Sequence, residues 1–348
     1  MSDTASMRSS TLLLFVPLLF LAGCATPASQ AASARESAPP RAWQSPLLLD
    51  HPLAGRIWDV SQGRWVDESS MRAELAKARL VLLGEQHDNP DHHLLQASLV
   101  RELTGNGRHP ALAFEMLGVE QQPVVDEALA REPGNPDAIA KAVDWAKSGW
   151  PDWALYRPIF VAGLERGLPI VAANFPRAQG KALAMQGLPA LAPELVTRLG
   201  LDTPLPEEAA RALRAELFAA HCGYMPEEHL ESMMYVQRAR DAQMAERLLA
   251  SDKGDGAILI TGSGHARTDR GVPARLATLS PGTEVRSVAF MEVLAGKQEP
   301  QDYTDRFGTG RLPFNYVWFT PAAQREDPCA KLRERMKKAA PPVQTQGG

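Results

Sequence analysis

Four continuous apolar runs constrain this chain more than any other feature. They are LVLL (Leu80 to Leu83), ALAF (Ala111 to Phe114), IVAA (Ile170 to Ala173) and AILI (Ala257 to Ile260). A strand with one wet face alternates apolar and polar side chains. A strand that is apolar at every position must be covered on both faces, which is the condition of a parallel sheet between helices. Helical patterns occupy the intervals, at about 90–105, 119–130, 153–166 and 227–251. A mixed run, Val285 to Phe290, adds a further strand, and YVWF (Tyr316 to Phe319) reads as an edge strand. The predicted fold is therefore α/β, a largely parallel sheet flanked by helices. Ahead of it, Ile57 to Asp59 and Trp65 to Asp67 flank Ser-Gln-Gly as a hairpin, and Ser69 or Ser70 is suited to cap a helix through about Ala78.

The interval from 175 to 256 is too long for one crossover helix and is rich in charged and alanine residues. It predicts a smaller helical insertion or lid domain at 178–250, set on an α/β domain of 51–177 and 251–320, with a polar tail at 321–348. On its long helix, Leu230, Met234, Gln237, Asp241, Met244 and Leu248 fall on one stripe. Gln237 and Asp241 in that stripe either reach a solvated edge or face a polar cleft between lid and sheet, because a buried Gln or Asp needs partners.

Each apolar run stops at a polar or ionisable group. LVLLG runs into Glu85, Gln86 and His87; ALAF into Glu115; IVAA into Asn174; AILI into Thr-Gly-Ser-Gly-His, ending at His265. In open α/β sheets ligands bind in the crevice outside the carboxyl ends of the strands. Glu85, His87, Glu115 and His265 are thus expected to share one crevice, with Asn174 at its edge. Two carboxylates and two imidazoles could bind a divalent metal, serve as general acid and base in a hydrolase, or surround a cofactor. Each also has a plainer use: Glu85 as a cap of the next helix, His87 as a hydrogen-bonded packing residue. Asn89 before Pro90 reads as a helix N-cap. The chain carries no HExxH, GxSxG, Walker A or GxGxxG pattern. A formal charge of −4 without a basic run argues against nucleic-acid binding.

The N-terminus assigns an address. TLLLFVPLLFLA (Thr11 to Ala22) follows Arg8 and is too short to span a bilayer, but it suits a signal-peptide core. It ends in LAGC, with Cys24 placed for lipidation after cleavage, so 1–23 reads as a lipoprotein signal peptide. A lipid-bearing (palmitate-type) cysteine holds the chain on a membrane. Ala25, where Asp would retain the protein at the inner membrane, directs it to the outer membrane, facing the periplasm. Residues 24–50, rich in Ala, Ser and Pro, read as a flexible tether. Cys222 and Cys329 would share an oxidising compartment, where they either pair or remain free.

The stretches VLLGEQHDNPDHHLLQASLVREL (81–103), LAFEM (112–116), GWPDWALYRPIFVAGLERGLPIVAANFPR (149–177) and TGSGHARTDRGVPARL (261–276) resemble the ChaN-type haem-binding lipoproteins. That family belongs to a wider superfamily with erythromycin-esterase-like, Tiki and TraB proteins. The resemblance implies a periplasm-facing α/β protein with a small helical domain that binds ferric haem in haem or iron acquisition, together with haem-uptake components. It also implies a homodimer in which a tyrosine holds each haem and a histidine lies nearby. Of five tyrosines, Tyr224, in HCGYMPEEH between His221 and His229, is the first candidate ligand, and Tyr235 on the long helix is the second. Tyr156, in the family's WxxY signature, reads as structural. Phe218, Met225, Met233 and Met234 are candidate apolar walls, and Arg177 is a candidate partner for a propionate. The alternatives are a metal-assisted hydrolase using Glu85, His87, Glu115 and His265, or a non-catalytic envelope scaffold. Lipidation needs the Cys24 sulfur, so Cys24→Ser should release the protein from membrane fractions or leave it unprocessed. Detergent partitioning tests this, and a variant processed and retained like wild type would refute the anchor.

Overall fold

The apolar runs become strands whose side chains alternate between two separate cores. We describe the protein from a computed structural model, in which residues 42–334 are described apart from 106, 309, 328, 331 and 332. The signal peptide, most of the tether and the end of the tail lie outside the described residues. The strands are β1 (Ile57–Asp59), β2 (Arg64–Val66), β3 (Leu80–Glu85), β4 (Ala111–Gly118), β5 (Ile170–Asn174), β6 (Ala257–Gly262), β7 (Val285–Glu292) and β8 (Tyr316–Thr320). They form one sheet in the order β2-β1-β8-β7-β3-β6-β4-β5, parallel from β8 to β5, with the β1–β2 hairpin antiparallel at one edge. The YVWF strand is interior: β8 pairs with β7 on one side and β1 on the other, because the hairpin closes over its free edge.

The helices are α1 (Glu68–Lys77), α2 (Pro90–Leu103), α3 (Gln122–Arg131), α4 (Pro136–Ala142), α5 (Trp153–Leu164), α6 (Arg177–Gln186), α7 (Pro193–Arg198), α8 (Glu207–Ala220), α9 (Glu227–Ser251) and α10 (Val272–Leu279). On one face of the sheet Val81, Leu83, Leu112, Phe114 and Ile260 pack with Leu95 and Leu99 of α2 and Ile159 and Phe160 of α5. On the other, Leu80, Leu82, Ala113 and Leu259 pack with Met244 and Leu248 of α9 and Leu276 of α10. Burial on both faces is why these strands carry no polar alternation.

Local capping departs from expectation at one helix. Asp67, not Ser69 or Ser70, caps α1 by accepting the Ser70 amide hydrogen bond, which leaves both serines inside the first turn. Asn89 caps α2, accepting from the amides of Asp91 and His92, with Pro90 in the first turn. Glu85 is therefore free of that duty.

Helices α6 to α9 form the smaller helical insertion between β5 and β6. The 25 residues of α9 serve two partners. Its first half packs Leu230 and Met234 against Leu213 and Leu217 of α8, and its second half lies on the sheet. Chain segments at both ends of the described region are also held. The Gln44 and Ser45 amides donate to Asp91, and Leu47 bridges Ala322. Arg325 reaches Asp88 and Glu292. Beyond it, Cys329 is disulfide-bonded to Cys222 in the turn after α8, 107 residues away in sequence. No helix among the described residues is long and apolar enough to cross a membrane.

The disulfide predicts a simple count. A Cys24→Ser form should titrate no free thiol when denatured without reductant and two after reduction; two without reductant would refute the bridge. Replacing both bridge cysteines by serine should lower unfolding stability by about 2–4 kcal/mol in denaturant titrations.

Candidate functional site

The sheet order brings the four polar strand ends side by side. Reading across β3, β6, β4 and β5 gives Glu85, the Gly262–His265 loop, Glu115 and Asn174. Two glycines permit this closeness. A Cβ on Gly84 would lie 2.8 Å from the Ala266 Cβ, and one on Gly262 would lie 2.9 Å from His87 Nε2. The first lets the loop after β6 rest on β3, and the second leaves room for the His87 ring between the two strands.

Glu115 sits where β4 leaves its ladders: pairing with β6 ends at Phe114, and the register with β5 shifts between Phe114 and Gly118. The released carboxylate is buried and fully engaged. Oε2 accepts from Thr261 Oγ1 at 2.6 Å and from the Gly262 amide at 2.7 Å. Oε1 pairs with Arg240 of α9 and lies 3.6 Å from His265 Nε2. Arg240 also donates to Asn174 Oδ1 at 3.1 Å, and Asn174 Nδ2 donates to the Glu115 carbonyl at 2.7 Å. His265 Nδ1 in turn meets Asp241 Oδ1 at 2.6 Å. Burial opposes the Glu115 charge, but His265, Arg240, His87 and the Thr261 hydrogen bond outweigh it and hold the carboxyl well below its usual range. For Asp241 burial wins over His265 and the neighbouring arginines, and its pKa rises.

Glu85 anchors a second group. His87 Nδ1 donates to its Oε1 at 2.8 Å, and the Tyr156 hydroxyl donates to the same oxygen at 3.0 Å. His93 Nε2 donates to the His87 carbonyl at 3.0 Å, which turns its Nδ1 toward Glu85 Oε2 at 2.9 Å. Burial disfavours the Glu85 charge, yet His93 and His87 reverse this and lower its pKa from 4.5 to about 2. Burial likewise opposes a charged His87. Its hydrogen bond to Glu85 and the nearby Glu115 prevail, raising it from 6.5 to about 9. Tyr156 is pushed far up, by burial first and then by Glu85, so it stays a neutral donor. His92 is separate: Nδ1 accepts the Gln86 amide, Nε2 donates to Thr320 Oγ1 at 2.8 Å, and burial lowers it to about 3.

The side chain of His87 is 36% exposed and meets the Trp150 ring edge-on at 5.0 Å. Trp150, Asn174, Arg177 and Arg240 line an adjoining cleft of about 610 Å³, within the range of small-molecule sites. Arg177 donates to the Ser148 carbonyl at 2.8 Å. Glu85, His87, Glu115 and His265 lie behind this cleft, and of the network only Asn174 and Arg240 line it. Tyr224, Tyr235, His221 and His229 are absent from its lining. Tyr224 is 45% exposed on the turn after α8, near Phe218. His221 is tied to the Leu217 carbonyl at 2.7 Å. Tyr235 donates to Glu231 at 3.3 Å, and its pKa is raised by burial and that carboxylate. Met234, expected as a wall, is core. Among the described residues no group of three His, Cys, Asp or Glu side chains is placed to hold a metal ion.

Sequence reasoning passed over Tyr156, His93 and Arg240 as members of this network. The His pair in the first turn of α2, right after a strand-end Glu-x-His, was the available signal for His93. Arg240 had none, because its partner lies 125 residues away.

The shifted pKa values of Glu85, His87 and His92 predict a pH profile. The His87 contribution to stability is complete below about pH 6.5 and is lost as pH rises through about 9. That of Glu85 is complete above about pH 4.5 and is lost as pH falls through about 2. His92, held neutral by burial, makes stability fall as pH drops below about 6.5, so thermal melts should peak near pH 6.5, and His87→Gln should flatten the alkaline fall; an unchanged alkaline limb in the variant would refute the assignment.

A family described as "Haem-binding uptake, Tiki superfamily, ChaN" matches residues 71–276, from α1 to α10. Among solved structures the chain is similar to that of cofacial haem binding to ChaN of Campylobacter jejuni, at 21% identity and a TM-score of 0.58, over 75% of this chain and 95% of that one. This likeness shows the fold. An erythromycin esterase in its open conformation aligns at 16% identity over 75% and 95% of the two chains, but its TM-score of 0.41 carries no argument. No curated protein matches. With more than half its length matched, from Met71 through the strand-end residues to Leu276, the chain belongs to the ChaN-type haem-binding uptake family of the Tiki superfamily.

Proposed function

We propose that this protein is an outer-membrane lipoprotein, anchored through Cys24 and facing the periplasm, that binds ferric haem for uptake of haem or iron. The observation that carries the ligand choice is the fate of the five tyrosines. Tyr156, Tyr303 and Tyr316 are buried, and Tyr235 is engaged with Glu231. Tyr224 alone is exposed. An axial tyrosine suits ferric iron, and bound iron or a nearby cation must stabilise its anion. Exposed Phe218 beside it and half-buried Met225 supply apolar surface for a macrocycle. A haem held on so open a surface has one face to cover. A second copy of the chain covers it, as the cofacial arrangement reported for the Campylobacter jejuni protein suggests. Arg177 lies in the strand-end cleft rather than on this turn's apolar surface, so a propionate role for it needs a haem that extends that way.

One observation favours a second activity at the strand ends. His87 is protonated at neutral pH, half-exposed at a cleft, and backed by a buried carboxylate, the arrangement of a general acid. Such chemistry would use His87 with Glu85, Glu115 and His265, next to the cleft that Trp150 lines.

Haemin titration of the full chain in detergent micelles tests the first reading. A saturable high-spin ferric spectrum is expected. Tyr224→Phe should abolish it while changing stability by no more than about 0.5 kcal/mol, as an exposed hydroxyl allows. Tyr235→Phe should bind like wild type. Unchanged binding in Tyr224→Phe would remove the ligand, and no saturable binding by wild type would remove the function.

A further inference from the structure

A second cleft, of about 350 Å³, shares no lining residue with the first. It lies between the turn after α7, the middle of α9, and α10 with the loop before it. Leu199 and Leu205 give it apolar walls, and Arg238, Arg270 and Arg275 bring three guanidiniums to it. Two carboxylates also line it, but both are committed elsewhere. Asp241 accepts from His265, and Asp269 takes two hydrogen bonds from Arg267. Arg270 is paired with Glu216 of α8.

Among the described residues Arg238 and Arg275 hydrogen-bond only to main-chain carbonyls, and Arg238 also lies over the Tyr235 ring at 5.8 Å. Arg238 donates to the carbonyls of Gly200, Leu201 and Thr203. Arg275 donates to the Arg198 carbonyl at 2.8 Å. The Nε donors of Arg270 and Arg275 are buried without an acceptor. Native proteins satisfy nearly all buried donors, and an orphan commonly marks an absent water or ion. Burial disfavours the Arg238 charge and Arg275 adds like-charge repulsion, while Tyr235, Asp202 and Asp241 favour the charge, and the balance leaves its pKa lowered.

We propose that this cleft is a binding site for a small oxyanion-bearing ligand, a carboxylate or phosphate seated between Arg238 and Arg275. A guanidinium presents a planar fork of N–H donors that matches both oxyanions. An anion between two like charges relieves their repulsion, which a carbonyl dipole cannot do. The volume lies at the small end of ligand sites, which selects a small organic acid or phosphate ester over a large cofactor. The site is independent of the haem reading.

The competing role for these arginines is purely structural, as staples on the carbonyls of the turn after α7. Thermal unfolding and calorimetry of the full chain in detergent distinguish the two, with sodium phosphate and sodium succinate as probes and sodium chloride matching ionic strength. Saturable stabilisation beyond chloride is expected from at least one probe. Phosphate alone would identify a phosphate site, and succinate alone a carboxylate site. Arg275→Gln and Arg238→Gln should each weaken binding at least about tenfold, and Arg275→Lys, which keeps charge without the fork, should fall between. If a charge variant does not fold, Ala274→Leu, which fills the same cleft, should abolish the response. Absence of stabilisation by either probe would overturn the proposal, as would folded variants that respond like wild type.

Discussion

The buried carboxylate of Glu115 is the point on which the arrangement of this protein turns. A carboxylate this deep is tolerated only when its lone pairs are met. Its partners come from three places: Thr261 and Gly262 on the neighbouring strand, Arg240 on the insertion's long helix, and His265 on the loop between. Satisfying one charge therefore fixes the β6 loop, the seating of α9 on the sheet, and the position of Asn174 through Arg240. The insertion is aligned to the strand ends by this charge as well as by the apolar contacts of Met244 and Leu248.

Glu85 performs the same service on β3, two strands away across β6, with different partners. Two imidazoles and a phenol surround it, and the dense hydrogen bonding overcomes the cost of burial. His87 lies between the two carboxylates and is the one member of the network that is substantially exposed. The tyrosine-bearing turn after α8 is built otherwise. It is solvent-exposed and pinned by a disulfide to the C-terminal segment, which Arg325 ties in turn to the loop after β3 and to the end of β7.

Much of this was legible in the residues. Runs apolar at every position required a sheet covered twice, and the polar residue ending each run pointed to the crevice. Asn-Pro marked the start of α2 because its chemistry is local. The start of α1 was misplaced by two or three residues because Asp67 and Ser69 are both competent caps, and which one is used depends on the approach of the chain from the hairpin. YVWF looked like an edge because strand order is not encoded in any one strand.

By itself the sequence determined the layered α/β class, the presence of a helical insertion, and the identity of the residues at the strand ends, since these follow from local periodicity and from burial. Tertiary structure alone decided that β6 enters between β3 and β4, and so that His265 meets Glu115. It alone recruited Tyr156, His93 and Arg240, paired Cys222 with Cys329, and gathered Arg238 and Arg275 at one cleft. Each of these joins elements separated by long stretches of chain or turned toward each other only by packing, and no spacing along the sequence records which side chains a folded sheet will bring within hydrogen-bond distance.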